Sequence, residues 1–253
     1  MKKGDNCLAR IVAISYCKFE ERVLRKIDGL IIPCTINGSN PFEYLNINTV
    51  IIGNFPRLHE FYSKYKQKEI NNKAIYVGSI SDARGVINNI VATHTANWQF
   101  ILAGKFISHK LYKKTIEMVE FSAVEYHGEV NNACIPELIS ECSIGLSTLR
   151  NIGQYALGDN FPTKVYEYMS LGLPVIISKT PYVDRIMEYK RFGIIVNSED
   201  INEVVDALKL IENNWELYQI YSNNARYLIK EYFNWEKEEK KLLDFYSKLM
   251  KNI

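Results

Sequence analysis

The sequence predicts an α/β fold: a Rossmann-like, doubly wound parallel sheet, preceded by a partial Rossmann-like fragment and followed by C-terminal helices. From Lys73 onward, short apolar runs alternate with helical patterns. This alternation gives right-handed crossovers and a parallel sheet with helices on both faces. The apolar runs are continuous, as in Val175–Ile177, which is typical of strands covered on both faces. From Ile201 onward only the three- and four-residue spacing of helices remains.

The sheet domain is predicted to begin with a strand at Ala74–Gly78 and a helix at Arg84–Thr95. The later elements are predicted as strand Gln99–Gly104, helix Ser108–Val119, strand Ala123–His127, helix Ala133–Glu141, strand Ser143–Ser147, a short helix after Pro162, strand Val175–Ile177, helix Tyr182–Tyr189 and strand Gly193–Val196. Ligands of such sheets bind at the carboxyl ends of the strands. We therefore expect the loops that follow the strands to share one edge and to form the binding site.

The chain on either side of this domain follows other patterns. Apolar spacing predicts C-terminal helices at Ile201–Ile211, Trp215–Tyr232 and Trp235–Met250, the last with Asn234 as its N-cap. Upstream, the predicted elements are a helix end at Glu20–Ile27, strands at Gly29–Pro33 and Thr49–Ile52, a turn at Gly53–Arg57 and a polar boundary at Tyr65–Asn72. We therefore predict the remnant of an N-terminal domain with its linker at 1–72, the sheet domain at 73–232 and a C-terminal helix at 233–253.

Composition excludes several classes of protein. The 253 residues are 47% hydrophobic and 24% charged, and a net charge of +2 is no signature of nucleic-acid or membrane binding. No apolar run approaches the ~20 residues of a membrane helix, and the charged residues 1–5 do not resemble a signal peptide. The five cysteines lack C-x-x-C spacing, and the four histidines lack metal-ligand spacing. We therefore expect a cytoplasmic protein with reduced thiols and no metal site.

The segment Gly158–Ser178, GDNFPTKVYEYMSLGLPVIIS, carries the strongest functional pattern. Pro162 suits the first turn of a helix, and the loop before it enters a helix N-terminus, where free backbone N–H groups attract anions. The segment also brings Asp159, Lys164 and Glu167, so a phosphate, or a sugar attached to one, is the predicted ligand. On spacing alone, a surface ion pair between Lys164 and Glu167 and a turn-forming Asp159 are simpler alternatives.

Two other loops at the same edge carry weaker patterns. The first predicted strand ends in GSISDARG, where Gly78 lets a ligand approach closely. Arg84 is predicted to open the next helix, where it opposes the dipole unless an anion binds; an exposed pair with Asp82 is the alternative. At the end of a later strand, backbone groups near Gly128 can read a base edge. His127 is predicted to be structural because no catalytic partner stands at a meaningful spacing.

The run NFPTKVYEYMSLGLPVI (160–176) resembles the donor-site signature of the retaining family-4 glycosyltransferases with the GT-B fold. Other segments resemble the same family in the expected order: IYVGSISDARGV (75–86), FILAGKF (100–106), VEYHGEV (124–130), LISECSIGLSTL (138–149) and NWEKEEKKLLDFY (234–246). VLRKIDGLIIP and VIIGNFPR resemble the end of the N-terminal domain and the linker of such proteins. The resemblance covers nearly the whole chain.

The resemblance implies a site for a nucleotide-diphosphate sugar, with no cofactor and no metal. Glu167 would bind the ribose hydroxyls, and Arg84 and Lys164 would neutralise the diphosphate. Asp159 stands where the family has the first acid of a paired-glutamate motif, and would act at the donor sugar. The implied donor-binding residues are Gly78, Ser79, Gly128, Glu129, Val130, Asn160, Phe161, Pro162, Thr163 and Glu167. Asp in place of Glu at 159, and Ser79 in place of a basic residue, depart from the family pattern.

As function, the resemblance implies transfer of a sugar, with retention, to a saccharide or lipid-linked acceptor in bacterial surface polysaccharide biosynthesis. The departing phosphate would help to deprotonate the acceptor, so the protein mainly positions the reactants. Nearly all of the acceptor-binding N-terminal domain is expected to be absent, so a separate chain or a longer native gene would supply it, with peripheral contact to the inner membrane face. An inactive nucleotide-sugar-binding fragment is the alternative. A dinucleotide-binding domain is disfavoured because no G-x-G-x-x-G follows the first strand.

Overall fold

A computed structural model describes residues 7–62, 69–150 and 157–251. The chain begins with helix α1 (Cys7–Leu24) and strand β1 (Leu30–Ile32), followed by strand β2 (Thr49–Ile51) and helix α2 (Leu58–Tyr62). β1 and β2 pair in parallel, with Leu30 opposite Thr49, as a separate two-stranded sheet. The upstream strands and helix were thus predicted correctly. Of the predicted boundary at Tyr65–Asn72, residues 65–68 lie outside the described residues.

The main sheet has six strands, all parallel: β3 (Lys73–Val77), β4 (Gln99–Ala103), β5 (Val124–Gly128), β6 (Ile144–Ser147), β7 (Val175–Ser178) and β8 (Gly193–Val196). Their order in space is β5-β4-β3-β6-β7-β8. The chain therefore builds outward from β3 in one direction and then returns to continue from β6 in the other. The crevice between the ends of β3 and β6 is the switch point where doubly wound sheets bind ligands.

Helices cover both faces of this sheet, as the alternating pattern predicted. They are α3 (Val86–Thr95), α4 (His109–Ile116), α5 (Ile135–Ser140), α6 (Thr163–Ser170), α7 (Pro181–Tyr189), α8 (Ile201–Glu212), α9 (Trp215–Glu231) and α10 (Trp235–Met250). Within β3, Ile75 and Val77 pack into one apolar cluster while Ala74 and Tyr76 pack into the other, which lies across the sheet. Continuous apolar strands are required for this two-sided burial.

Two predicted helices begin later than expected. The prediction that Arg84 opens a helix is wrong: Asp82–Arg84 form a 3-10 turn that ends at Gly85, which has φ +66°, and α3 starts at Val86. The other is the helix predicted at Ala133–Glu141, where a 3-10 turn at Asn132–Cys134 comes first and α5 follows. Turns of this type are common before α-helices, and sequence spacing does not distinguish them.

The last helix joins the N-terminal segment to the sheet domain. Asn234 caps α10, since its Oδ1 accepts a hydrogen bond from Lys237 N (3.1 Å), as predicted. The buried Glu238 then accepts hydrogen bonds from Gly53 N (2.7 Å) and from the Lys241 ammonium group (2.6 Å). The linker after β2 is thereby fastened along α10. In the described part of the chain, none of the helices has the length and apolar character needed to cross a membrane.

Candidate functional site

A cavity of about 590 Å³ lies at the switch point and is called the central cavity here. One side of it comes from the N-terminal segment and the other from the loops at the carboxyl ends of the sheet. Its lining residues are Asn54, Phe55, Pro56, Glu60, Phe61, Val77, Gly78, Arg84, Asn132, Ile135, Pro136, Leu149, Pro162, Thr163, Lys164 and Glu167. Six of the predicted site residues, from two separate parts of the sequence, therefore meet in one cavity.

Two cationic side chains converge on Gly78, directly after β3. A Cβ atom added to Gly78 would lie 3.6 Å from Arg84 Nη1 and 3.6 Å from Lys164 Nζ. Gly78 has φ +122°, a conformation that glycine adopts without the strain that any side chain would add. Gly78, Arg84 and Lys164 all line the central cavity, so an anion bound there would lie close to both cations.

Lys164 lies in an environment that disfavours its charge. The residue is 5% exposed, and Nζ has no hydrogen-bond partner among the residues that the structure describes. The ammonium group lies 3.4 Å from the centre of the Tyr76 ring, a cation–π contact. Burial and then the positive charge of Arg84 lower the pKa of Lys164 well below its ordinary value, and Glu167 opposes them. The predicted alternative, an exposed surface ion pair, is wrong for this lysine because it is buried.

Glu167 follows on the same helix and faces the same cavity. Burial raises the pKa of its carboxyl group, and the charge of Lys164 opposes this shift. Helix α6 is held against the sheet by Tyr168, whose buried hydroxyl group accepts a hydrogen bond from Val77 N (2.9 Å). The bond places the helix that carries Lys164 and Glu167 directly over the end of β3.

The turn that carries Arg84 is fixed by a glycine. A Cβ atom at Gly85 would lie 2.1 Å from the backbone oxygen of Thr148, so this close approach of two loops needs glycine. Arg150 N also donates a hydrogen bond to Ala83 O (2.9 Å). The loops after β3 and β6 are therefore fastened together, and Arg84 is held at the cavity.

Asp159 lies outside the central cavity and contacts the N-terminal segment. Its Oδ2 accepts hydrogen bonds from Thr35 Oγ1 and Gly38 N, each 2.6 Å, and its Oδ1 accepts one from Arg185 (2.8 Å). Partial burial raises the pKa of this carboxyl group, but its hydrogen bonds outweigh the burial, and the pKa lies below its ordinary value. In this arrangement the carboxylate holds the loop at 35–38 against the sheet domain.

The loop between Asp159 and α6 borders a neighbouring cavity of about 490 Å³, which Asp159, Asn160 and Phe161 line together with Pro162 and Thr163. The Phe161 side chain is 2% exposed, and its ring packs against Tyr166 and Phe233. Phe161 therefore belongs mainly to the apolar core. Asn160 is exposed in this loop.

The remaining predicted residues do not line the central cavity. Ser79 is exposed, and its carbonyl oxygen accepts a hydrogen bond from the Tyr76 hydroxyl group (2.8 Å). Gly128 has φ +65°, the neighbouring Glu129 is exposed, and Val130 packs against the core. His127 has a carboxylate partner that the spacing argument missed, because its Nε2 lies 2.9 Å from Glu125 Oε1. That pair lies on the exposed edge strand β5.

Sequence reasoning missed the part of the cavity that follows β5. Asn132, Ile135 and Pro136 line it, a few residues beyond the predicted loop at Gly128–Val130. It also missed Tyr76, whose ring centre lies 3.4 Å from the Lys164 ammonium group. The available signal for Asn132 was its position in the connection that follows a predicted strand. Among the residues described, no group of three or more His, Cys, Asp or Glu side chains could hold a metal ion.

The central cavity is suited to a ligand with two negative charges and an attached polar group. Two cations and the N-terminus of α6 supply positive charge, and burial strengthens their interaction with an anion. A carboxylate one helical turn away can accept hydrogen bonds from a pair of hydroxyl groups. Apolar and amide side chains beyond them, from Ile135, Pro136 and Asn132, can contact a planar ring.

Comparisons with known proteins give a consistent result. The family model described as "Glycosyl transferases group 1" matches residues 67–228. An uncharacterized glycosyltransferase from Haemophilus influenzae is 33% identical over 75 residues, which are 29% of this chain and 21% of that protein. Sucrose-phosphate synthase from Thermosynechococcus elongatus has a TM-score of 0.71 at 18% identity, covering 95% of this chain and 63% of that one. HepE from Anabaena, solved in complex with UDP, has a TM-score of 0.67 at 15% identity, with coverages of 91% and 68%. This chain thus spans less than two thirds of the synthase.

Proposed function

Since the chain belongs to the group 1 glycosyltransferases, with their GT-B fold, we propose that its central cavity binds a nucleoside diphosphate sugar and presents it for transfer. The observation that carries this proposal is the buried Lys164 ammonium group, which lacks a hydrogen-bond partner among the described residues and shares an open space with Arg84. A buried cation is costly unless an opposite charge joins it. A diphosphate between the two cations supplies that charge.

The rest of the donor extends from this point in two directions. Glu167 accepts hydrogen bonds from the ribose hydroxyl groups, and Ile135, Pro136 and Asn132 contact the base. We assign uracil as the base to be tested first, because the similar fold of HepE was solved with UDP. The sugar lies on the side of Asn160–Thr163, where the predicted donor loop borders both cavities.

The reaction that fits this arrangement needs no side chain as nucleophile. The acceptor hydroxyl oxygen forms a bond to the anomeric carbon while the bond from that carbon to the diphosphate oxygen breaks. The leaving diphosphate keeps the electron pair and takes up the proton of the acceptor. The acceptor attacks from the face that the diphosphate leaves, so the configuration at the anomeric carbon is retained. Arg84, Lys164 and the helix N-terminus stabilise the negative charge that develops on the leaving group. We propose that these groups serve where other transferases use a metal, so donor binding persists in EDTA.

For the acceptor, we propose a saccharide or lipid-linked molecule of bacterial surface polysaccharide biosynthesis, glycosylated at the cytoplasmic side of the membrane. A second reading, that this chain is the donor-binding half of an enzyme, is favoured by the N-terminal segment. Val12 and Phe19 on α1 are 62% and 65% exposed, and Ile31 and Ile51 of the small sheet are 41% and 43% exposed. Apolar faces of this kind mark surfaces that another polypeptide covers.

Calorimetry with UDP and UDP-sugars tests the donor site. Arg84→Ala and Glu167→Ala are each expected to weaken binding at least tenfold, because each removes a charged contact worth about 1.5–3 kcal/mol. Arg191→Ala and Glu188→Ala, exposed residues away from the cavity, are the matched controls and should bind normally. Unchanged affinity in the Arg84→Ala, Glu167→Ala double variant would show that the donor binds elsewhere.

An activity assay separates the two readings of the function. Release of UDP from UDP-sugar is measured with mixed saccharide and lipid-linked acceptors. Turnover by the chain alone supports a complete enzyme, whereas donor binding without turnover supports the donor-binding half.

A further inference from the structure

A second cavity, of about 410 Å³, lies beside the central cavity at the carboxyl ends of β6 and β7. It is called the apolar cavity here because carbon atoms make up most of its lining. Leu149 and Pro162 line both cavities, so the two share a wall. The buried part of the lining includes Ser147, Leu149, Phe161, Ile177 and Val183, and the exposed rim includes Pro33, Ile36 and Leu157.

One polar atom in the buried lining has no partner. Ser147 is 0% exposed, and its hydroxyl group makes no hydrogen bond with any residue that the structure describes. The other serine of the lining is satisfied, because Ser178 Oγ donates to Leu149 O (2.6 Å). A buried hydroxyl without a partner is destabilising, and such groups in native proteins call for a ligand or a water molecule. Among the described residues that line this cavity, the Ser147 hydroxyl is therefore the one buried side-chain polar atom without a hydrogen-bond partner.

The charges at the rim do not make this cavity a second anion site. Arg150 is paired with Glu199, with Nη2 and Oε2 3.0 Å apart, and Lys179 Nζ lies 3.8 Å from Asp184 Oδ2. In the central cavity, by contrast, Lys164 is buried without a hydrogen-bond partner among the described residues. The two neighbouring cavities thus differ in chemistry: one suits a charged ligand and the other an apolar one.

We infer that the apolar cavity binds the alkyl or prenyl group of the acceptor, with one hydrogen-bonding atom of the same molecule at Ser147. This inference rests on the proposed function, since a molecule held against the shared wall lies next to the donor and is placed to receive the sugar. A sugar ring, which carries hydroxyl groups on all sides, would leave most of them unsatisfied against this lining. The apolar part of an amphiphilic acceptor meets no such penalty and gains the free energy of burial.

The test uses octyl glucoside below its micelle concentration, with methyl glucoside as the probe that lacks the chain. Saturation-transfer NMR on the full chain should show contact to the octyl protons and no measurable binding of methyl glucoside. Leu157→Asp places a charge on the rim and is expected to weaken octyl glucoside at least fivefold. Leu210→Asp is the matched control, because Leu157 and Leu210 are 51% and 48% exposed and Leu210 does not line the cavity. Equal affinities in the two variants would overturn the inference.

Ser147→Ala separates binding from folding. Loss of an unpartnered buried hydroxyl group should leave the melting temperature unchanged or raise it, while the affinity for octyl glucoside falls at least threefold. Unchanged affinity would refute the polar contact at Ser147. UDP binding is measured on every variant: retained UDP binding with lost octyl glucoside binding supports the assignment. Failure of the wild-type chain to bind UDP, with octyl glucoside still held, would instead refute the proposed donor site.

Discussion

Donor binding should be accompanied by uptake of a proton at Lys164. The free protein holds this amino group buried, and burial and the charge of Arg84 lower its pKa well below the ordinary value, which favours the uncharged form. A diphosphate that enters the space beside Gly78 adds negative charge next to Nζ and favours the protonated form. The groups that face Lys164 are Arg84 from the turn after β3, Tyr76 from β3 and Glu167 from its own helix.

The size of the effect follows from the distances. Arg84 Nη1 and Lys164 Nζ each lie 3.6 Å from one point beside Gly78. They are thus no more than about 7 Å apart, so their repulsion is at least about 2 kcal/mol at an effective dielectric constant near 20. One negative charge at about 4 Å from Nζ contributes about 4 kcal/mol of attraction under the same conditions. That energy shifts the protonation equilibrium of Lys164 toward the charged form by about three powers of ten and so opposes the effects of burial and of Arg84.

Calorimetry in several buffers measures the uptake. A UDP-sugar is the suitable probe because its diphosphate has no proton to exchange near neutral pH. Titrations at pH 8 in buffers of different ionisation enthalpy should show net proton uptake on binding, because the pKa of Lys164 is lowered in the free protein. Because binding consumes a proton, the affinity should fall as pH rises, by at most tenfold per pH unit. Lys164→Met should abolish both effects, and the exposed Lys179→Met should keep them.

The same lysine affects folding in the opposite sense. Because its pKa is lower in the folded than in the unfolded protein, the unfolded state binds more protons between those two values, and stability rises with pH there. Lys164→Met should therefore raise the free energy of unfolding at pH 8 by about 1–3 kcal/mol. The gain should shrink as pH approaches 10.5, the ordinary lysine value. Tight UDP-sugar binding without proton uptake, together with no stabilisation in Lys164→Met, would refute this reasoning.

Three further predictions concern residues that hold the site in place. Gly85→Ala should lower the free energy of unfolding by roughly 2 kcal/mol or more beyond the loss in Gly128→Ala, as measured by calorimetric unfolding. Both glycines have φ near +65°, but of the two only Gly85 lacks room for a Cβ. Equal losses in the two variants would contradict this. Asp159→Ala should lower the free energy of unfolding by about 2–4 kcal/mol at pH 7. Because the pKa of Asp159 is lowered in the folded state, the difference in stability between wild type and variant should disappear as pH falls through that pKa. If urea unfolding shows the same difference at every pH, the contacts of Asp159 do not depend on its charge. Tyr168→Phe leaves the buried Val77 N–H group without its acceptor. The variant should lose about 1–3 kcal/mol of stability and should bind UDP more weakly. Normal UDP affinity in a destabilised Tyr168→Phe protein would show that this bond does not position α6.

Most of the fold could be predicted from the sequence because each element carries a local signal. Gly193–Val196 and Trp235–Met250 have the bounds that their patterns predicted, since a glycine or a capping asparagine marks where each begins. The start of α3 was not predictable in the same way. It depends on Gly85, which has a left-handed conformation and lies against the loop after β6: a Cβ atom on Gly85 would be 2.1 Å from the backbone oxygen of Thr148. The two residues are more than sixty positions apart in the sequence.

The candidate site was predictable only where a residue type implies its partner. Lys164 and Glu167 followed from the helix N-terminus, but the burial of Lys164 did not, because three-residue spacing also describes an exposed ion pair. For Asp159, sequence reasoning offered a turn or a sugar contact. The structure shows hydrogen bonds to Thr35 and Gly38, more than 120 positions away in the chain, which sequence reasoning did not predict. Long-range hydrogen bonds of this kind leave no periodic pattern in the sequence.

Two buried groups at the cavities, Lys164 and Ser147, differ from the buried polar groups whose hydrogen bonds are made inside the chain. Tyr168 and Glu238 are buried with their hydrogen bonds made inside the chain, so their removal should destabilise the fold. Lys164 and Ser147 are buried without such bonds in the described structure, so each raises the free energy of the folded protein until a ligand joins it. Both border cavities that share Leu149 and Pro162. Selection for stability alone would have replaced them, and their joint presence beside one wall is best explained by two substrates that bind side by side.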